Sequence, residues 1–280
     1  MARSPAGTIL TETHRKRQES LTALVLRDLL GLWERIVRPD DFATFEAFAE
    51  AAAVLVGVRR AESAELAAQY YAQFREAEGV PGTGPLMLAG AATLGDDEAT
   101  PVVPQQYPQN ELSGLLRGAA LQAMVQSRRA GESLDTASQR ALVAVQGSAV
   151  RVALDGGRDL LRDAIAADAE AIGYVRVPDA DPCSFCAMLA ANGLIKKEIT
   201  GLDRSRWVRG PTGRRMRPRV TRLPKIQVHD HDQCTLEPFF EGSQLPPGAE
   251  RYRQLWDEVT ERQSGRNARI AFRRALEGRA

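Results

Sequence analysis

Cysteine and histidine are scarce in this chain: 280 residues hold 3 of each. Thiols this few, and odd in number, exclude a secreted disulfide scaffold, which uses more of them and pairs them evenly. Long apolar runs are missing as well. No uninterrupted stretch approaches the ~18 residues that a membrane span needs. The opening MARSPAGTILTETHRKRQES places no apolar segment ahead of its charges, so it does not read as a signal peptide. A dominant sign of charge is lacking too. The net charge of +1 excludes a wholly basic nucleic-acid binder, so any such property must be local. What is present is globular: 44% hydrophobic and 26% charged residues, enough for one large domain or two ordinary ones. The expectation is a soluble protein made in a reducing cytoplasm, with no membrane partner and no small-molecule substrate.

The pattern divides the chain into a helical part, residues 1–171, and a mixed part, 172–280. Apolar residues at Leu21, Leu24, Val25, Leu29, Leu32, Trp33 and Ile36 keep helical spacing from about Thr13 to Arg38. Pro39 and Asp40-Asp41 stop that helix, and an Ala/Leu/Glu-rich stretch predicts a second one ending near Gly79. The two read as an antiparallel hairpin. A Pro/Gly-dense connector follows over about 80–110, with one short helix over 86–92. Helical patterning resumes with ELSGLLRGAALQAMVQSRRAG, and again from Ser133 to about Ala171, where Ser133 or Asp135 can act as the cap. From Ile172 the segments IGYVRVP, GLIKKEIT, KIQVHD and CTLEPFF read as strands. AERYRQLWDEVTERQSG reads as a final helix, and the basic end RNARIAFRRALEGRA as exposed surface. The fold class is therefore α+β and predominantly α: a helical domain followed by a small mixed α/β domain.

Nearly all the thiol and imidazole falls into two short patches. Cys183 and Cys186 lie in PDADPCSFCAMLAANG, and His229, His231 and Cys234 in KIQVHDHDQCTLEPFF. Two thiolates spaced by two residues at a turn can reach one metal ion. Adding Cys234 and either His229 or His231 gives a Cys3His set, a normal closed structural zinc site. The unused histidine can support the ligands from behind, or Asp230 or Asp232 can orient the ligand imidazole. Three other readings compete. The pair can be buried soft hydrophobes. It can be a redox C-x-x-C, although no βαβ alternation surrounds it. Or one thiol is a nucleophile activated by His229, although Cys186 and Cys234 fit metal ligation better.

CSFCAMLAANG followed by VHDHDQCTLEPFF resembles the minor capsid proteins of tailed bacteriophages related to the Mu F head-morphogenesis protein, in the version of actinobacterial phages. In that family a C-x-x-C knuckle precedes a patch of the form H-x-x-C-x-C. Cys183 and Cys186 match the knuckle, His229 the leading histidine and Cys234 the last cysteine. Asp232 stands where the middle cysteine would be, and His231 is its natural substitute. The resemblance covers about Tyr174 to Phe240. It implies a zinc-stapled structural protein of the virion, located in the head interior after assembly in the host cytoplasm. Its partners would be the portal protein, the major capsid protein and packaged double-stranded DNA. Its roles would be head assembly and DNA delivery, and it would not be an enzyme.

Between the two patches lies DRSRWVRGPTGRRMRPRVTRLPK. Arg204, Arg206, Arg209, Arg214, Arg215, Arg217, Arg219, Arg222 and Lys225 follow one another there with no intervening acid. Gly-Pro and Thr-Gly turn signals predict a basic β-hairpin projecting from the metal-bound base. Clustered guanidiniums suit phosphate oxygens and carboxylates, while a solvated loop is the plain alternative. The rival function is an HNH-type nuclease, which also joins a zinc knuckle to histidines. That chemistry needs a further metal-holding His/Asn set, and no histidine follows His231.

Overall fold

The computed structural model describes residues 4–82, 84, 106–202, 208–209, 214–216, 219–222, 226 and 228–278. The short helix expected over 86–92 lies outside them. Four long helices form the first half: α1 (Pro5–Ile36), α2 (Ala43–Ala77), α3 (Gln109–Arg129) and α4 (Leu134–Ala167). Each buries one stripe. Leu21, Val25, Leu29 and Trp33 of α1 meet Phe45, Phe48 and Val56 of α2, with Leu116 and Met124 of α3 and Val145 of α4 closing the core. Caps fix the ends. Ser4 accepts from the Gly7 amide, with Pro5 at the first helical position, and Ser133 accepts from the Thr136 amide.

α1 begins eight residues before the expected start at Thr13 because its first turns bury polar rather than apolar groups. Thr11 donates to Glu237 (2.7 Å) and shares a 2.8 Å hydrogen bond with the Tyr70 hydroxyl. Gln18 and Ser63 exchange hydrogen bonds, and the Gly157 amide donates to Ser63 Oγ. A stripe of this kind escapes a test built on apolar spacing. Where α2 and α4 cross, a Cβ on Gly156 would lie 2.1 Å from the Arg60 carbonyl oxygen, so only glycine permits that approach.

The second half is built on a three-stranded antiparallel sheet in the order β2-β1-β7, with β1 (Ala171–Val177) in the middle, β2 (Ile195–Lys196) and β7 (Thr235–Phe240). Pro238 is tolerated in β7 because that strand is an edge. β7 is buried along its whole length. One face packs on the far ends of α2 and α4, where Tyr71, Phe74, Leu161 and Ile165 meet Tyr174, Leu236 and Phe240. The other side carries α5 (Ser184–Ala191), α6 (Pro247–Thr260) and α7 (Gly265–Leu276). The basic stretch forms paired strands, β3 (Ile199–Leu202) with β6 (Arg219–Arg222) and β4 (Val208–Arg209) with β5 (Arg215–Met216), both antiparallel.

Two expectations need correcting. The described part of KIQVHD is not a strand: Ile226, Val228 and His229 lie outside the named strands, and the chain turns at Asp230-His231, where the Asp232 amide donates to the His229 carbonyl. The backbone is spent on shaping that turn instead of on a ladder. The basic end is not plain surface either. It is α7, which buries Ala268 and Phe272. Among the described residues no helix is long and apolar enough to cross a membrane.

Candidate metal centre

The C-x-x-C segment follows β1 through a Pro-Asp turn and opens α5. Cys183 is the N-cap of that helix, and its Sγ accepts from the Cys186 amide at 3.5 Å. This returning amide stabilises negative charge on sulfur. The second patch arrives from the hairpin. His229 Nε2 lies 3.2 Å from both Cys183 Sγ and Cys186 Sγ. Its Nδ1 faces the Asp230 carbonyl oxygen. A carbonyl can only accept, so Nδ1 carries the proton and the Nε2 lone pair points at the two sulfurs. The ring also meets Phe185 edge-on, at 5.2 Å between centroids.

Two overlapping groups of ligand atoms result: Cys183, Cys186 and His229, and Cys186, Asp232 and Cys234. Cys186 is common to both. Its thiol pKa is pushed strongly up, first by the hydrogen bond with Cys234, then by burial, then by the charges of Cys234, Asp232 and Cys183. A bound cation would reverse that balance by accepting the thiolates directly. For tetrahedral zinc, bond lengths of about 2.3 Å to sulfur and 2.0 Å to nitrogen set an N···S edge of about 3.5 Å. The observed 3.2 Å is within a few tenths of an ångström of that. That spacing suits Cys183, Cys186 and His229 as ligands of one ion, while Cys234 groups with Cys186 and Asp232 and reaches the same centre through Cys186.

His231 takes a different course. Its backbone is left-handed (φ 63°), its amide donates to the Gly147 carbonyl, and its ring lies on α4. A Cβ on Gly147 would stand 2.6 Å from His231 Nε2, so a glycine at that point of α4 makes room for the ring. Asp230 sends its carboxylate to Arg151 (3.0 Å). Neither aspartate carboxylate touches the His229 ring. That contact belongs to the Asp230 backbone.

Asp232 is fully buried and serves as the hub beneath the thiols. It accepts from the Cys234 amide at 2.8 Å, from Arg158 at 3.2 Å and from Arg176 at 3.4 Å. Burial acts to raise its carboxyl pKa, but the two guanidiniums and the Cys234 amide outweigh burial and hold it below the ordinary value. Arg158 also donates to the carbonyls of Asp232 (2.6 Å) and Cys234 (2.9 Å). Arg158 on α4 and Arg176 on β1 are thus the clamps that shape the second patch, and sequence reasoning missed both. The available signal was weak: an acid inside a Cys/His patch needs a distant cation.

Of the basic positions, Arg209, Arg215, Arg219 and Arg222 lie on the paired strands and Arg214 is exposed just before β5. Arg204, Arg206, Arg217 and Lys225 lie outside the described residues.

A helical bundle abutting a small antiparallel sheet, with a Cys/His knuckle at the root of a basic hairpin, defines the class: a mainly helical protein with one compact candidate metal centre. A family model described as VG15 protein matches residues 9–259, so the chain belongs to the VG15 protein family, and it is a phage gene product. No curated protein and no solved structure matches it.

Proposed function

We propose that this VG15 protein is a minor capsid protein of a tailed phage, of the Mu F-like head-morphogenesis type, bound near the portal on the inside of the head. One structural zinc, held by Cys183, Cys186, His229 and Cys234, staples the root of the basic hairpin to the sheet and to α4. The zinc orders the second patch, and the hairpin presents its arginines to packaged DNA. The observation that carries this reading is the meeting of His229 Nε2 with both knuckle sulfurs at 3.2 Å. It joins two patches more than forty residues apart into a site that closes the loop bearing the arginines.

The nuclease alternative has little to work with. His229 faces sulfur and His231 lies on α4. His14, the remaining histidine, is buried and stacked on Tyr70 at 4.4 Å. No histidine is left to build a second, catalytic metal site. Purified virions of the parent phage test the role. The chain should be present in them, with density beside the portal in a reconstruction, and its absence from virions would refute the assignment. Magnesium- or manganese-dependent DNA cleavage that disappears in a folded His229→Ala variant would favour the nuclease instead.

A further inference from the structure

A second feature lies on the outer side of α5, beside the candidate metal centre. A cavity of about 290 Å³ opens between α5 and α7, floored by Phe185, Met188 and Phe272. Arg266, Arg269 and Arg273 stand around it, and no acidic residue lines it. These arginines recur at helical spacing on α7, about 10 Å from first to last at 1.5 Å per residue. All three are exposed, and no carboxylate among the described residues pairs with them. The surrounding sequence is one-sided as well: residues 262–280 contain six arginines and one glutamate. An apolar, aromatic and thioether floor inside a rim of unpaired guanidiniums is an arrangement that neither the zinc site nor the hairpin uses.

We infer that this cavity is a docking site for an acidic protein segment, which inserts one large apolar side chain between Phe185, Met188 and Phe272 while its carboxylates pair with Arg266, Arg269 and Arg273. Two observations select this partner over duplex DNA. The site is concave with an apolar floor, which accepts a side chain, whereas a phosphate backbone offers nothing apolar to fill it. The arginines also sit on the rim, where charge pairs steer and orient a partner whose anchor is buried at the centre. Methionine and phenylalanine supply an adaptable pocket for such an anchor. Engagement would also press on Phe185, which rests on His229, so the docking site adjoins the metal centre.

The probe is a short synthetic acidic peptide with one central phenylalanine flanked by aspartates and glutamates, titrated into the full-length protein. Binding is read by calorimetry and by the emission of Trp256, whose ring lies 5.3 Å from that of Phe272. Saturable binding is expected, weakened at least tenfold by serine in place of the phenylalanine and at least tenfold by the double change Arg269→Glu and Arg273→Glu. The single change Arg266→Glu, at the exposed start of α7, should weaken it in the same direction and serves if the double variant fails to fold. No binding, equal binding of the two peptides, or binding untouched by charge reversal would overturn the inference. Displacement of the peptide by random-sequence duplex DNA at lower concentration would assign the face to nucleic acid instead.

Discussion

At the scale of single residues, Asp232 carries most of the information. The phage-protein pattern has cysteine there, and a sequence reading makes His231 the substitute ligand. The structure instead spends Asp232 on holding Arg158, Arg176 and the Cys234 amide. The clustering of thiol and imidazole was legible in the sequence, since composition alone makes it improbable. That His229 rather than His231 meets the sulfurs was not, because it depends on a left-handed turn at His231 and on Gly147, more than eighty residues earlier. Asp232→Cys should therefore not improve the site. Removing the carboxylate takes one ion-pair partner from two buried guanidiniums, although Arg158 keeps Asp155 at 2.9 Å, and should cost up to about 3–5 kcal/mol, measurable by urea unfolding at saturating zinc. Unchanged stability would show that the hub does not matter.

His14 supports a second prediction at this scale. Burial, with a smaller push from Arg17, lowers its pKa to about 3, and its Nδ1 has no partner. Between the ordinary value of 6.5 and about 3 the unfolded chain binds a proton that the folded one refuses. Stability accordingly falls as pH drops through 6.5 and levels off only below about 3. The loss from this group is about 2 kcal/mol by pH 5. His14→Phe keeps the stack on Tyr70 and removes the proton site. Its stability between pH 7 and 5 should fall by that much less than the wild type's. Parallel pH curves would contradict this.

At the scale of elements, helices with apolar stripes could be read directly from spacing, and β1 and β7 from their β-rich runs. Elements defined by polar burial or by turn geometry could not. The first turns of α1 bury Thr11 and Gln18, and KIQVHD has strand composition but gives its backbone to the turn. α7 did carry a signal, Ala268, Phe272 and Leu276 at i, i+4, i+8, hidden beneath its arginines. The hairpin leads to a prediction of its own. If Arg214, Arg215 and Arg217 each meet a phosphate, replacing all three with Ala should flatten the log–log salt slope of duplex binding by up to about three units. A projecting hairpin predicts little change in stability, since substitutions of solvated side chains usually stay within ~0.5 kcal/mol. Binding equal to the wild type's would make the hairpin a solvated loop.

At the scale of the whole molecule, two cores share α2 and α4. One lies inside the four-helix bundle, and the other joins the ends of those helices to the sheet. The candidate metal centre lies between the start of α5 and the chain before β7, tied to α4 through Arg158 and Gly147. Chelation should therefore strip hydrogen-exchange protection from α5 and the chain before β7 while the bundle core stays protected, since local units can open below the global free energy. Simultaneous loss in both regions would show that the metal supports the entire fold.

In the proposed centre four side chains, His229 among them and His231 not, hold one zinc. The most direct measurement is metal content per chain, by elemental analysis, of the wild type, His229→Ala and His231→Ala purified in parallel. One equivalent of zinc is predicted for the wild type and for His231→Ala, and a clear loss for His229→Ala. Little zinc in the wild type, or a loss that follows His231 instead, would contradict the account.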